Sequence, residues 1–173
     1  MLLARAGMAM PTVLVGLLCY AVLSRRGPLG PLELLYTPTA IILGEVLLAL
    51  PIVISLSYAA VATLEPAVAE TARTLGAGPV RRLLTYLDER RLAVTAAVMT
   101  AFGRCVTELG VALMVGGNIK YRTRTLTTAT ALETSRGELA RGVAMSLILV
   151  GLALAVMLAG SWLGRDRDRE AAA

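Results

Sequence analysis

The 173-residue chain is 57% hydrophobic and 17% charged, whereas a typical soluble domain carries roughly 25% charged residues. This composition excludes an ordinary soluble domain. The net charge of +5 comes from arginines that lie between apolar runs, and aromatic residues are too few to stack nucleic-acid bases, so no nucleic-acid partner is expected. Histidine is absent and the two cysteines have no metal-ligand spacing, so we expect no metal, cofactor or catalytic residue.

Four apolar segments are long enough to cross a bilayer as helices. They predict an all-α, polytopic membrane protein that forms one transmembrane domain over residues 1–173. The predicted spans are residues 6–23, 39–64, 92–115 and 142–163. A signal peptide with Arg5 at its basic end is an alternative for the first span, although no suitable cleavage site follows it. Pro51 is expected to kink the second span, and the charged tail, residues 164–173, is expected to be disordered.

A charge-bearing segment, residues 65–91, separates the second and third spans. Pro66 suits the first turn of a helix, because the N–H that it lacks has no partner there. Gly76 is placed to end that helix in a left-handed conformation. The Gly-Pro pair at 78–79 then starts a second short helix over Val80–Leu87. The segment is therefore predicted to be two short helices that meet at a glycine hinge outside the membrane.

The third span carries Arg104 and Glu108 near its middle. Each charge would cost roughly 2.5–3.5 kcal/mol if it faced lipid, and a spacing of four residues allows the two side chains to pair. Small and polar residues share one predicted helix face, and such a face must pack on other helices or line a water-filled path. These residues are Ala97, Ala101, Arg104, Glu108 and Ala112. Two interpretations remain open: a lining of a translocation path, or a static ion pair that locks helices together.

The loop that follows, residues 116–129, combines basic residues with threonines. Lys120, Arg122 and Arg124 are consistent with a basic mouth that attracts an oxyanion or an acidic docking protein. The alternative is a solvated loop whose threonines cap the next helix. Further on, Ser135 and Glu138 have the spacing of a capping box, which predicts the start of the last helix.

Four spans place both chain ends and the 65–91 segment on the same side of the membrane. That side carries nine basic residues and the opposite side seven, counted from the sequence. The excess is small, but the positive-inside rule then favours a cytoplasmic location for the segment and for both ends.

Two stretches of the chain resemble ABC importer permeases. Residues 70–77, ETARTLGA, are similar to the Glu-Ala-Ala…Gly loop of that family, with Thr71 in place of the usual first alanine. Residues 101–110, AFGRCVTELG, and the threonine-rich residues 123–129 resemble the tungstate branch more than the molybdate branch. Tyr121 follows Lys120 directly, where family members usually have a glycine between. Such permeases normally have at least one further membrane helix before the segment that begins here.

The resemblance implies a role for each of these regions. Residues of the coupling helix are expected to dock on a cytoplasmic ATPase, namely Glu70, Thr71, Ala72, Arg73 and Gly76. Arg104, Glu108 and Asn118 are expected to line the translocation path, and Lys120, Arg122 and Arg124 the outer mouth. The implied protein is the plasma-membrane (inner-membrane) permease of an ATP-driven oxyanion importer, most similar to tungstate importers, and not an enzyme. The chain has no Walker sequence, so ATP hydrolysis is expected on the partner.

The implied partners are a second permease copy, a cytoplasmic ABC ATPase, an extracytoplasmic oxyanion-binding protein and membrane lipid. Three alternatives remain open at this point. One is the same architecture with molybdate or another tetrahedral anion as cargo. A second is an ATP-independent channel or carrier, in which Arg104 and Glu108 form a relay or gate. A third is a non-functional remnant whose helices only pack.

Overall fold

The computed structural model describes residues 7–171, and its regular structure over this range is entirely helical. A short 3-10 turn, Gly30–Leu32, lies between the first two helices. The helices are α1 (Thr12–Leu23), α2 (Pro38–Ala62), α3 (Pro66–Thr74), α4 (Pro79–Glu89), α5 (Arg91–Val106), α6 (Gly110–Gly116), α7 (Leu126–Ser135) and α8 (Leu139–Ala171). The predicted all-α class is confirmed.

Two stretches within residues 7–171 are single helices long and apolar enough to cross a membrane: α2 with 25 residues, and the first 22 residues of α8, Leu139–Gly160. Helices α5 and α6 meet this condition only as a pair, bent by 58°. Helix α1 is apolar but has 12 residues, and residue 6 of the predicted first span lies outside the described residues. The structure thus supports two or three spanning elements of the four predicted.

Helix α6 lies at the centre of the packed helices. Helices α1 and α2 both pack against it, while α8 packs along α5 and α7. Val111 and Val115 of α6 are fully buried. Glycines allow this close approach, because a Cβ at Gly44 would overlap Val111 and a Cβ at Gly16 would lie 3.1 Å from Met114. The core cluster consists of Val15, Cys19, Leu23, Ala40, Leu48, Val111 and Val115.

The last part of the chain differs from the prediction at two places. The predicted capping box at Ser135 is wrong, because the Ser135 hydroxyl donates to the Leu132 carbonyl and Gly137 turns the chain with a φ of 82°. The capping box that does form joins Thr125 and Thr128 at the start of α7. Helix α8 continues to Ala171, where a disordered tail was expected from residue 164, and residues 172–173 lie outside the described residues.

Candidate functional site

The segment between α2 and α5 has the predicted form of two short helices hinged at a glycine. Helix α3 ends at Thr74, and Gly76 has a φ of 68°. The Ala77 N–H donates to the Ala72 carbonyl and the Gly76 N–H to the Arg73 carbonyl, each at 3.0 Å. These two bonds form a Schellman motif, which satisfies carbonyls at the end of a helix and favours glycine at the left-handed position. The predicted hinge is therefore confirmed.

The predicted coupling residues lie on one short helix but have different environments. Glu70, Thr71 and Arg73 are exposed, whereas Ala72 is buried at the base of a groove of about 630 Å³ between α3 and α4. The groove wall also includes Leu75, whose exposed fraction is 80%. Sequence reasoning missed Leu75, although an apolar residue beside a predicted hinge was visible. The groove therefore presents an exposed apolar side chain, Leu75, beside the exposed polar side chains of Glu70, Thr71 and Arg73.

Arg90 connects the end of α4 to the end of α2. Its Nη2 donates to the Thr63 carbonyl over 2.5 Å, and Thr63 is the residue that ends α2. The carbonyls at a helix C-terminus have no partner within the helix, so a guanidinium is well suited to bind one. No local sequence pattern predicts this contact, because the two residues are far apart along the chain.

The predicted Arg104–Glu108 pair forms, but within a break of the helix. Arg104 Nη1 lies 2.7 Å from Glu108 Oε2. The other carboxylate oxygen, Oε1, accepts the N–H of Gly110 at 2.7 Å and that of Val111 at 3.3 Å. The prediction of one continuous span over residues 92–115 is therefore corrected. Glu108 caps the first N–H groups of α6, and this cap stabilises the 58° bend between α5 and α6.

The bent region is buried unevenly. The Glu108 side chain is 2% exposed, whereas the Arg104 side chain is 42% exposed. The predicted stripe is otherwise inside the protein, since Ala97, Ala101 and Ala112 are all buried. A further bond fixes the break from α7, because the Thr127 hydroxyl donates to the Glu108 carbonyl at 2.9 Å. Both carboxylate oxygens and the carbonyl of Glu108 thus have partners. Arg104 retains N–H donors without a partner among the described residues.

The remaining predicted path residue, Asn118, follows α6. Its side-chain oxygen accepts from Arg124 Nε at 3.0 Å, and its amide nitrogen donates to the Thr128 carbonyl at 3.4 Å. Arg124 is thereby directed into the protein, with Nη2 also 3.4 Å from the Asn118 carbonyl. Asn118 and Arg124 therefore hold the loop against α7 in the observed structure.

The three basic residues predicted at the outer mouth are not brought together. Arg124 is bonded to Asn118, and Lys120 lies with its Nζ 4.9 Å from the centre of the Tyr121 ring. Arg122 lines a separate groove of about 710 Å³. This basic groove is formed with the loop that joins α1 to α2, and that loop contributes Arg25 and Arg26, which the sequence analysis placed on the same side of the membrane as Arg122 but not in one site.

The basic groove and residues 65–91, the predicted coupling segment, lie at opposite ends of α2. The groove involves the loop that precedes α2, and the coupling segment begins where α2 ends. A helix of 25 residues is roughly 37 Å long at 1.5 Å per residue. The two regions are therefore separated by about one membrane thickness.

Residues 1–169 match the family described as "Binding-protein-dependent transport system inner membrane component". The chain belongs to this family. Membership confirms the predicted resemblance to importer permeases, and together with the apolar helices it identifies a multi-pass membrane protein of a transport system.

Relatives within this permease family differ in their similarity to the chain. The chain is 45% identical over 152 residues to the tungstate uptake system permease protein TupB of Campylobacter jejuni. The aligned region covers 88% of this chain and 64% of TupB. The chain is 41% identical over 168 residues to a probable anion ABC transporter permease of Haloferax volcanii, covering 94% and 71%. The Escherichia coli K12 molybdenum transport permease ModB is 29% identical over 175 residues, covering 94% and 75%. The chain thus spans about two thirds to three quarters of the length of these relatives.

Proposed function

We propose that this chain is the membrane-spanning permease subunit of an ATP-driven importer whose cargo is the tungstate oxyanion. The observation that carries the proposal is the 45% identity with a tungstate uptake permease over 152 residues. Molybdate is the second candidate cargo, because ModB is also related, at 29% identity. Both ions are tetrahedral oxyanions of similar charge, so one protein architecture suits either.

The energy source in this proposal is a separate cytoplasmic ATPase that docks on the coupling segment. The exposed Glu70, Thr71 and Arg73 offer polar contacts, and Leu75 offers an apolar one. The buried Ala72 allows close approach, and Gly76 sets the angle between α3 and α4. Movement of this segment would reach α2 through the bond between Arg90 and the Thr63 carbonyl.

The translocation path is proposed to pass the bend between α5 and α6. Arg104 is the residue best suited to meet an oxyanion, because it is partly exposed and only its Nη1 has a partner among the described residues. Glu108 would act as a positioning residue that orients the guanidinium. Asn118 would maintain the loop at the end of α6 through its bonds to Arg124 and Thr128.

A second permease copy is proposed to complete the path, and an extracytoplasmic binding protein to deliver the ion. The coupling segment and both ends of the chain are assigned to the cytoplasmic side of the plasma membrane. This orientation puts Lys120, Arg122 and the basic groove on the outer face, where an anion would arrive.

The test is uptake of tungstate by cells or vesicles in which the chain is co-expressed with its ATPase and binding protein. We expect uptake that requires ATP and that falls only with a large excess of molybdate. Uptake that persists when the ATPase is omitted would contradict the proposal and favour a channel or carrier. Equal competition by molybdate would mean that the cargo is both tungstate and molybdate, and not tungstate alone.

A further inference from the structure

The basic groove on the proposed outer face has a composition suited to a small anion. Its wall includes the guanidinium-bearing residues Arg25, Arg26 and Arg122, one carboxylate from Glu33, and the two tyrosines Tyr20 and Tyr36. Three positive charges and one negative charge leave a net charge of +2 in a cavity of about 710 Å³. A net positive concave surface concentrates anions from solution.

The groove arginines are free to bind a ligand. Among the residues whose side chains the structure describes, none of the three has an ion pair, and Glu33 has none either. By contrast, the neighbouring Arg124 donates to Asn118. Arginine presents a planar set of N–H donors that matches the oxygens of a tetrahedral oxyanion. Unpaired arginines that come from two distant loops therefore form a candidate site rather than a structural network.

Two tyrosines add hydroxyl groups to the groove wall. Tyr36 lies in the loop before α2, and the neighbouring phenol of Tyr20, followed by burial, raises the pKa of the Tyr36 phenol. The Tyr36 hydroxyl therefore stays protonated at neutral pH and adds no negative charge that would repel an anion.

Both loops that form or border the groove are held in unusual backbone conformations. Within residues 7–171, the non-glycine residues with positive φ are Glu33 at 48°, Tyr36 at 62°, Asn118 at 52° and Tyr121 at 63°. Glu33 and Tyr36 lie in the loop between α1 and α2, and Asn118 and Tyr121 lie in the loop between α6 and α7. Such conformations persist only where surrounding contacts enforce them, and they concentrate at functional sites. They indicate that the groove walls are built to a defined shape.

The groove is also connected to the proposed path through α6. The Tyr36 N–H donates to the Val115 carbonyl at 2.8 Å, and a Cβ at Gly117 would lie 2.7 Å from the Tyr36 ring. Val115 is near the C-terminal end of α6, whose first N–H groups are capped by Glu108. A single buried helix therefore joins the groove wall to the bend.

We propose that the basic groove is a receiving site for a tetrahedral oxyanion, in which Arg25, Arg26 and Arg122 bind the ion before it enters the path. The role of this site in import rests on the proposed function, but the binding itself requires neither ATPase nor binding protein. A lipid phosphate has the same chemistry as a free oxyanion, so the experiment separates these two sources.

The experiment measures binding of sodium tungstate to the full chain in phosphatidylcholine nanodiscs, by equilibrium dialysis with elemental analysis at fixed ionic strength. We expect saturable binding, about tenfold weaker in Arg122→Gln because one charge-assisted contact is lost. We expect no saturable binding when Arg25, Arg26 and Arg122 are all replaced by glutamine. Lys120→Gln is the matched control, since it removes one charge from the same loop but lies outside the groove wall.

Three results would overturn the proposal. One is an equal loss of affinity in Lys120→Gln and Arg122→Gln, which would indicate a diffuse field and no built site. The second is the absence of saturable tungstate binding to the unchanged protein. The third is tungstate binding that disappears when phosphatidylglycerol is added to the nanodiscs, which would indicate a lipid headgroup site. Failure of ATP-driven uptake would contradict the proposed import function but not the proposed binding site, because binding is measured without the transport partners.

Discussion

The hinge at Gly76 and the bend at Glu108 both interrupt a helix, but different forces hold them. At Gly76 the chain turns through backbone preference, with two main-chain bonds and no atom within 4 Å of the position that a Cβ would occupy. At Glu108 the chain turns around a buried carboxylate that binds Arg104 and two backbone N–H groups. The first arrangement leaves the hinge exposed to solvent with few contacts, whereas the second holds the angle by contacts inside the protein.

This difference suggests separate tasks for the two regions. A docking segment that transmits movement benefits from few contacts, because each added contact resists the movement. A bend beside a path for an anion benefits from fixed geometry, so that the guanidinium is already oriented when the ion arrives. Substitutions at the bend should therefore act first on stability, and substitutions at the hinge first on uptake.

The largest effect is expected from Glu108→Ala. It removes the acceptor of the Gly110 and Val111 N–H groups and leaves Arg104 without its partner. A buried backbone N–H that loses its acceptor costs about 1–3 kcal/mol, and we expect a loss of at least that size in the free energy of unfolding, because Arg104 is 42% exposed and can be solvated once Glu108 is gone. The measurement is chemical unfolding of the purified protein in detergent.

Glu108→Gln is the control for this prediction. The amide can still accept through its oxygen, so the cap of α6 can persist while the charge is lost. We expect an intermediate loss of stability. A Glu108→Ala protein as stable as the wild type would show that the bend does not depend on the carboxylate.

The second prediction concerns the coupling between Arg104 and Glu108. Once Glu108 is removed, Arg104 has lost its ion pair, so Arg104→Ala should add little further cost. The double variant should then be about as unstable as Glu108→Ala alone, and the cycle should yield an interaction of about 0.5–3 kcal/mol. Additive losses in the four-protein cycle would mean that the two side chains act independently.

The extent to which sequence predicts each region follows from the same physical difference. The coupling segment was predicted to within one or two residues, because Pro66, Gly76 and Pro79 restrict the backbone locally. The bend was not predicted, since the apolar run continues through it. The bend is stabilised by one carboxylate oxygen, Glu108 Oε1, which accepts the N–H groups of Gly110 and Val111, and no hydropathy pattern predicts such a contact.

The basic groove was only partly accessible to sequence reasoning for a related reason. Arg122 was recognised within its own basic loop, but Arg25 and Arg26 come from a different part of the chain. They meet because α1 and α2 both pack on α6. Such long-range packing has no local sequence pattern. The prediction therefore grouped Arg122 with its sequence neighbours Lys120 and Arg124, and not with Arg25 and Arg26.

The third prediction tests the hinge with two glycines of the same segment. Gly76→Val places a β-branched residue at a φ of 68°, where a left-handed conformation costs roughly 1–2 kcal/mol. The surrounding space is open, so the strain is local. We expect normal membrane insertion but loss of ATP-driven uptake.

Gly78→Val is the matched control for the hinge. Gly78 has a φ of −65° and a ψ of 168°, which valine adopts without strain, and it also lies in open space. We expect nearly normal uptake. If both variants lose uptake equally, bulk in the segment matters and the left-handed conformation does not.

The smallest effect is expected at Arg90, which binds the end of the hinged segment to the end of α2. Arg90→Ala removes the bond to the Thr63 carbonyl, and an exposed hydrogen bond contributes about 1 kcal/mol to stability. The stability loss should be small, but the rate of uptake should fall clearly, because the coupling segment would move without displacing α2. Hydrogen–deuterium exchange should rise at the end of α2 in Arg90→Ala but not in Arg82→Ala, which removes an arginine from α4, the helix that Arg90 follows. Unchanged exchange at the end of α2 would mean that movement passes from the segment to α5 instead, through the chain connection at Arg91.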